Sequence, residues 1–189
     1  NGKIYGAYAA LLFKLEKYDK ALSVLDQGLE KNPNHVGMLS YKGFTLGKLK
    51  AHSEAILYYN DSLKIDKSDA YVYNGLACSL NELQRYEEAL PCLDRVIELN
   101  PKTPGVFSNK GVSLMGLGRY KEAIESYSRA ELEDPSNINT SYMNKAIALE
   151  KLGQYSESLV FYDKALEINS YDTDVYYNKG RTLSIMGKH

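Results

Sequence analysis

Residues 104–135 read PGVFSNKGVSLMGLGRYKEAIESYSRAELEDP. Phe107, Gly111, Leu114 and Leu117 recur at helical spacing and share one face of a first helix. Gly118 breaks the run, and Tyr120, Ala123, Tyr127 and Ala130 mark one face of a second helix. A glycine inside a helix costs about 1 kcal/mol relative to alanine. Gly111 therefore implies a compensating close approach, with the second helix lying against the first where no side chain intervenes. Thr103 is placed to cap the first helix and Pro104 suits its first turn. Pro135 blocks continuation of the second. The stretch reads as a helical hairpin with one apolar seam.

The rest of the chain copies this hairpin in register. The small residue of the first helix recurs as Ala9, Gly43, Ala77, Gly111, Ala146 and Gly180, at intervals of 34, 34, 34, 35 and 34 residues. Leu12, Leu46, Leu80, Leu114, Leu149 and Leu183 follow three residues later each time. The second helix repeats a small residue as Ala21, Ala55, Ala89, Ala123 and Ser158, and a large one as Leu25, Tyr59, Leu93, Tyr127 and Tyr162.

With these columns the chain resembles the tetratricopeptide repeat family, whose unit is a helix–turn–helix of this period. The resemblance covers essentially all 189 residues. It implies an all-α tetratricopeptide-repeat solenoid, a right-handed superhelix of antiparallel helix hairpins. The expected organisation is a single array over 1–189, with repeats at about 2–35, 36–69, 70–103, 104–138 and 139–172 and a partial repeat at 173–189. One hairpin cannot bury its seam alone, so neighbours must stack. The abrupt ends suggest an excerpt of a longer protein, and a last helix without its partner leaves Leu183 and Met186 partly uncovered.

Departures from the pattern are local. In the second repeat Leu39 replaces the aromatic residue, Lys50 stands where later repeats carry a turn glycine, and His52 replaces a tyrosine. Ser68 is a cap candidate for the third repeat, and Pro91 inside its second helix predicts a kink. The 35-residue interval predicts a one-residue loop insertion near Ile138 or a hinge there, and Glu131 falls where the fifth repeat has Leu166.

Composition narrows the function. Net charge is −1 from 23 basic and 24 acidic residues, with no basic run, which argues against nucleic acid as partner. No stretch has the apolar length of a membrane span. Cys78 and Cys92 read as free thiols of a cytoplasmic protein. The histidines fall on unrelated columns, the cysteines lack zinc-finger spacing and the glycines form no phosphate loop. The expectation is no enzyme, no cofactor and no metal.

The resemblance implies that first helices line a concave groove. Two positions face it: one residue set comprises Ala7, Tyr41, Gly75, Asn109, Asn144 and Asn178, the other Ala10, Phe44, Cys78, Val112, Ile147 and Arg181. Tyr71, Asn74, Ser108 and Tyr177 fall on the same side. The candidate peptide-binding residues are therefore Asn109, Asn144, Asn178, Tyr41, Phe44, Tyr71, Asn74 and Arg181. Each asparagine carboxamide offers donors and an acceptor, so a row can hold the backbone of an extended peptide, which resembles the asparagine ladder of one member of the family. Lys110, Lys145 and Lys179 are expected to cover the seam with their stems while their charges reach water. The family's carboxylate clamp, which binds chaperone tails, is not matched: Gly6 and Ala10 stand where its lysine and asparagine would be. The expected function is a protein-interaction scaffold that binds an extended peptide or helix of another protein. Alternatives are a recruiting domain of a larger enzyme or an architectural spacer. The exposed array ends leave room for self-association.

Overall fold

A computed structural model describes residues 2–133 and 138–187. Among the described residues there are eleven α-helices and no strand. They are α1 (Gly2–Lys14), α2 (Tyr18–Lys31), α3 (Val36–Lys48), α4 (His52–Ile65), α5 (Ala70–Glu82), α6 (Tyr86–Leu99), α7 (Val106–Gly116), α8 (Tyr120–Glu133), α9 (Ile138–Lys151), α10 (Tyr155–Ile168) and α11 (Thr173–Ile185). Odd-numbered helices are the first helices of the hairpins. The chain divides into two compact units, Asn1–Thr103 and Pro104–His189. In the first, α1 packs on α2, α3 on α4 and α5 on α6, while α2–α3, α4–α5, α1–α3 and α3–α5 contacts join the hairpins. In the second, α7 packs on α8 and α9 on α10, joined by α8–α9, with α11 against α10 and α9.

The seam follows the repeated columns. Ala9, Ala77 and Ala146 of the first helices and Ala21, Ala55, Ala89 and Ala123 of the second are fully buried. So are Leu25, Leu93 and Tyr162, with Tyr59 and Tyr127 almost so. Gly111 provides the predicted close approach: a Cβ there would lie 2.4 Å from Tyr127 Cε1. Gly43 stands in the same relation to Tyr59, at 2.6 Å. Gly180, in the same column of α11, meets nothing within 4 Å. Leu183 and Met186 are half-buried and Ile185 is exposed.

Every described hairpin turn passes through the left-handed region at one position. In the first unit Glu16, Lys50 and Gln84 adopt it with φ of 56°, 62° and 58°; in the second Gly118 and Gly153 do so with 71° and 75°. The backbone demand is the same in all five, and only the later turns meet it with the residue that has no Cβ.

Three local expectations need correction. The cap of α7 is Gly105, at φ 75°, and Thr103 instead donates its hydroxyl to Asn100 O at 2.8 Å. The cap of α5 is Asp69, whose carboxylate accepts from Tyr71 N and Val72 N at 2.9 and 3.2 Å, and Ser68 bonds back to Asp66. Asp69 takes the role because it occupies the residue where the helix begins. Lys145 does not reach water. It is buried at 6% exposure, with Nζ 2.9 Å from Glu131 Oε1 and 4.3 Å from the centre of the Phe161 ring. The approach to Glu131 is not directed as a hydrogen bond, so charge holds the pair. This ion pair accounts for the acidic residue that breaks the apolar column. α6 runs through Pro91 as one helix. The expected insertion lies next to residues 134–137, and Pro135 among them, which are outside the described residues.

Candidate peptide-binding surfaces

The two halves of the candidate site fall in different units. Tyr41, Phe44, Tyr71 and Asn74 belong to the first, where they line one cavity of about 680 Å³. The helices that build it are mostly first helices. α1 contributes Phe13 and Lys14, α3 contributes Tyr41, Phe44 and Lys48, and α5 contributes Tyr71, Asn74, Gly75 and Cys78. α4 closes the floor with Tyr59 and His52.

The aromatic wall is a packed cluster. Phe13 meets Tyr41 edge-on at 5.9 Å between ring centres, Tyr41 meets Phe44 at 6.3 Å, and Phe44 meets Tyr59 at 5.3 Å. Such geometries add to the burial of the rings themselves. The cluster exists because Gly75 leaves it room: a Cβ at that residue would lie 2.8 Å from both Phe44 Cε1 and the Tyr59 hydroxyl. Tyr59 is 2% exposed, with its hydroxyl close to Gly75. Burial, with the neighbouring Cys78, holds this phenol above the usual tyrosine range. His52 Nδ1 is buried without a hydrogen-bond partner among the described residues.

The cavity is polarised along the helices. Val36, Gly37 and Asp69 line it where α3 and α5 begin; Lys14 and Lys48 line it where α1 and α3 end. Asp69 is engaged as the cap of α5. Lys14 and Lys48 are exposed and make no ion pair with any described residue. Sequence reasoning missed Phe13, Tyr59 and these two lysines. Lys14 and Lys48 stand one repeat apart, which is a readable signal. Tyr59 belongs to a seam column, and that membership conceals its second role.

The asparagines lie in the second unit, on α7, α9 and α11, all half-buried. Asn178 donates from Nδ2 to Asp174 O on its own helix at 2.9 Å, which leaves its carboxamide oxygen as the open acceptor. Asn144 makes no side-chain hydrogen bond with any described residue. Arg181 is committed within the protein. Its guanidinium donates to both oxygens of Glu150 at 3.0–3.2 Å, and Glu150 also accepts from the Tyr162 hydroxyl at 3.1 Å. Lys179 pairs with Asp163, and in the first unit Lys42 pairs with Asp26 and lies over the Tyr58 ring. These lysines stitch a first helix to the second helix of the preceding hairpin. Among the described residues no group of histidine, cysteine and carboxylate side chains is arranged to hold a metal ion. No described helix is long and apolar enough to cross a membrane.

A stack of helical hairpins with this seam defines a helical-repeat protein. Tetratricopeptide repeat models match residues 9–70, 70–103, 105–137, 140–172 and 161–189. The chain belongs to the tetratricopeptide repeat family. Among solved structures it is similar to YrrB, described as a TPR protein with an unusual peptide-binding site, with a TM-score of 0.81 at 21% identity over 95% of this chain and 92% of that one. It is also similar to MamA AMB-1, with a TM-score of 0.80 at 27% identity over 88% and 98%. A thermophilic TPR protein of Thermus thermophilus gives 0.70 at 22% identity over 97% and 99%. Comparison with curated proteins gives no match.

Proposed function

We propose that the protein is an interaction scaffold that holds an extended segment of a partner protein on the faces made by its first helices. The observation that carries this reading is the apolar cavity of about 680 Å³ between α1, α3 and α5, within the range typical of binding pockets. Its walls are aromatic, and the nearly buried Tyr59 stands at its floor. In the second unit Asn109, Asn144 and Asn178 would pair with partner backbone, a mode that reads no side chains. The family implies protein binding in general, and YrrB, of the same fold, is described as having a peptide-binding site.

The test is calorimetric titration of this chain with linear peptides selected against it. Tyr71, exposed at the cavity mouth, is the single change of choice, since Tyr41 and Phe44 also support the cluster. Tyr71→Ala should weaken binding while leaving the melting temperature in place. A net hydrogen bond contributes about 0.5–1.5 kcal/mol, so Asn109→Ala with Asn144→Ala and Asn178→Ala should together cost more than about tenfold in affinity. Leu57→Lys, an exposed change on second helix α4, is the control. Affinity that survives the groove changes and is lost with Leu57→Lys would replace this reading with a spacer that binds through its second helices.

A further inference from the structure

We propose that the cavity between α1, α3 and α5 takes an aromatic side chain of the partner segment that stands beside an aspartate or glutamate, the ring meeting Tyr41, Phe44 and Tyr71 and the carboxylate meeting Lys14 and Lys48. This rests on the peptide-binding reading and adds the chemistry of the peptide. Two observations carry it. First, the walls present rings already packed edge-on at 5.9 and 6.3 Å, a surface on which another ring finds offset or edge contacts. At the floor the Tyr59 hydroxyl, on a residue 2% exposed, stands close to Gly75 and adds a polar group to the ring-lined wall.

Second, the charges at the mouth are unequal. Lys14 and Lys48 stand in the last turns of α1 and α3. Several other surface cations are paired within the protein: Lys42 with Asp26, Lys64 with Asp61, Arg85 with Glu88 and Arg119 with Glu122. The two cavity lysines have no such partner among the described residues. The carboxylate that lines the cavity, Asp69, lies at its opposite end and is occupied by the amides of α5. An anionic group at the lysine end therefore gains attraction with no acidic competitor from the cavity lining beside it. The arrangement differs from a clamp for a chain terminus, because the cations lie beside an apolar cavity that admits a side chain.

The experiment is selection of displayed random linear peptides against the whole chain, and in parallel against Lys14→Glu/Lys48→Glu. Selected peptides are then measured by fluorescence anisotropy. Peptides from the wild-type selection should share an aromatic residue with a neighbouring Asp or Glu. Replacing that acid by glutamine, or the ring by alanine, should weaken binding roughly tenfold or more, and added salt should weaken it further. The charge-reversed protein should lose these peptides and select basic neighbours instead, with an unchanged circular dichroism melt. Selected peptides that lack the acidic residue, carry only aliphatic anchors, or bind the reversed protein equally well would overturn the inference while peptide binding stands. Failure of the wild-type chain to enrich any peptide would overturn both.

Discussion

At the scale of single residues, the same column holds glycine in opposite surroundings. At Gly111 a methyl group would enter the Tyr127 ring, at 2.4 Å from Cε1. At Gly180 it would meet no atom within 4 Å. Gly111→Ala should therefore destabilise the second unit by about 1–3 kcal/mol through overpacking. Gly180→Ala should stabilise α11 by about 0.5–1 kcal/mol, because alanine restricts the unfolded chain and propagates helix better. Paired thermal melts check both. Equal shifts of the same sign would mean that Tyr127 does not confine Gly111. The column itself was legible in the sequence, but the difference between its members was not. It depends on whether a ring from another helix occupies the space, and spacing along the chain does not report that.

At the scale of elements, α8 and α9 are joined by a charge pair at a position where the fifth repeat carries leucine. Lys145 and Glu131 have side chains only 8% and 18% exposed. Removing one partner leaves a buried charge, so Lys145→Met alone should cost about 3–5 kcal/mol. Lys145→Met combined with Glu131→Leu should recover most of that loss or exceed the wild type, since an apolar pair needs no compensation for lost hydration. A double-mutant cycle on chemical denaturation measures the coupling; additive losses would show that the two groups do not interact. By contrast, the Lys179–Asp163 pair has a carboxylate 54% exposed, and water screens it. The anomaly at Glu131 was visible as a break in pattern. Its resolution was not, because the lysine that answers it lies in another helix and in a column whose other lysines, Lys110 and Lys179, are only half-buried.

At the scale of the whole molecule, three tyrosines link the seam to pH. Burial holds Tyr59, Tyr127 and Tyr162 above the usual tyrosine range, with Cys78 beside the first and the Glu150 charge beside the last adding to the shift. Each is neutral in the fold at a pH where the unfolded chain already ionises. A folded value raised above the unfolded one gives stability that is complete below the unfolded value, about 10, and declines as pH rises beyond it. Each group can lower stability by up to about 1.4 kcal/mol per pH unit in that window. Thermal melts from about pH 8 to about pH 11 should fall steeply above about 10; exposed tyrosines such as Tyr71 and Tyr171 ionise there in the fold, and the last part of the tyrosinate absorbance should appear only together with loss of helix. Absorbance that accounts for all 17 tyrosines while the helical signal persists would show that these three phenols are open to water. Both units carry such a residue, so each should respond.

The sequence by itself determined the hairpins, their period and the seam, because a helix that must bury one face repeats that requirement in its own residues. It also determined which residues were left over from the seam, and Tyr41, Phe44, Tyr71 and Asn74 among them line one cavity. The tertiary structure alone decided how the polar leftovers are spent. Arg181, read as a groove residue, is held by Glu150 from the preceding first helix. Lys145 is buried against Glu131, whereas Lys14 and Lys48 remain unpaired at the cavity mouth among the described residues. Apolar burial is a property of a residue and its own helix face; charge pairing is set by whichever side chain a neighbouring helix brings within a few ångströms, and that is fixed only when the hairpins stack.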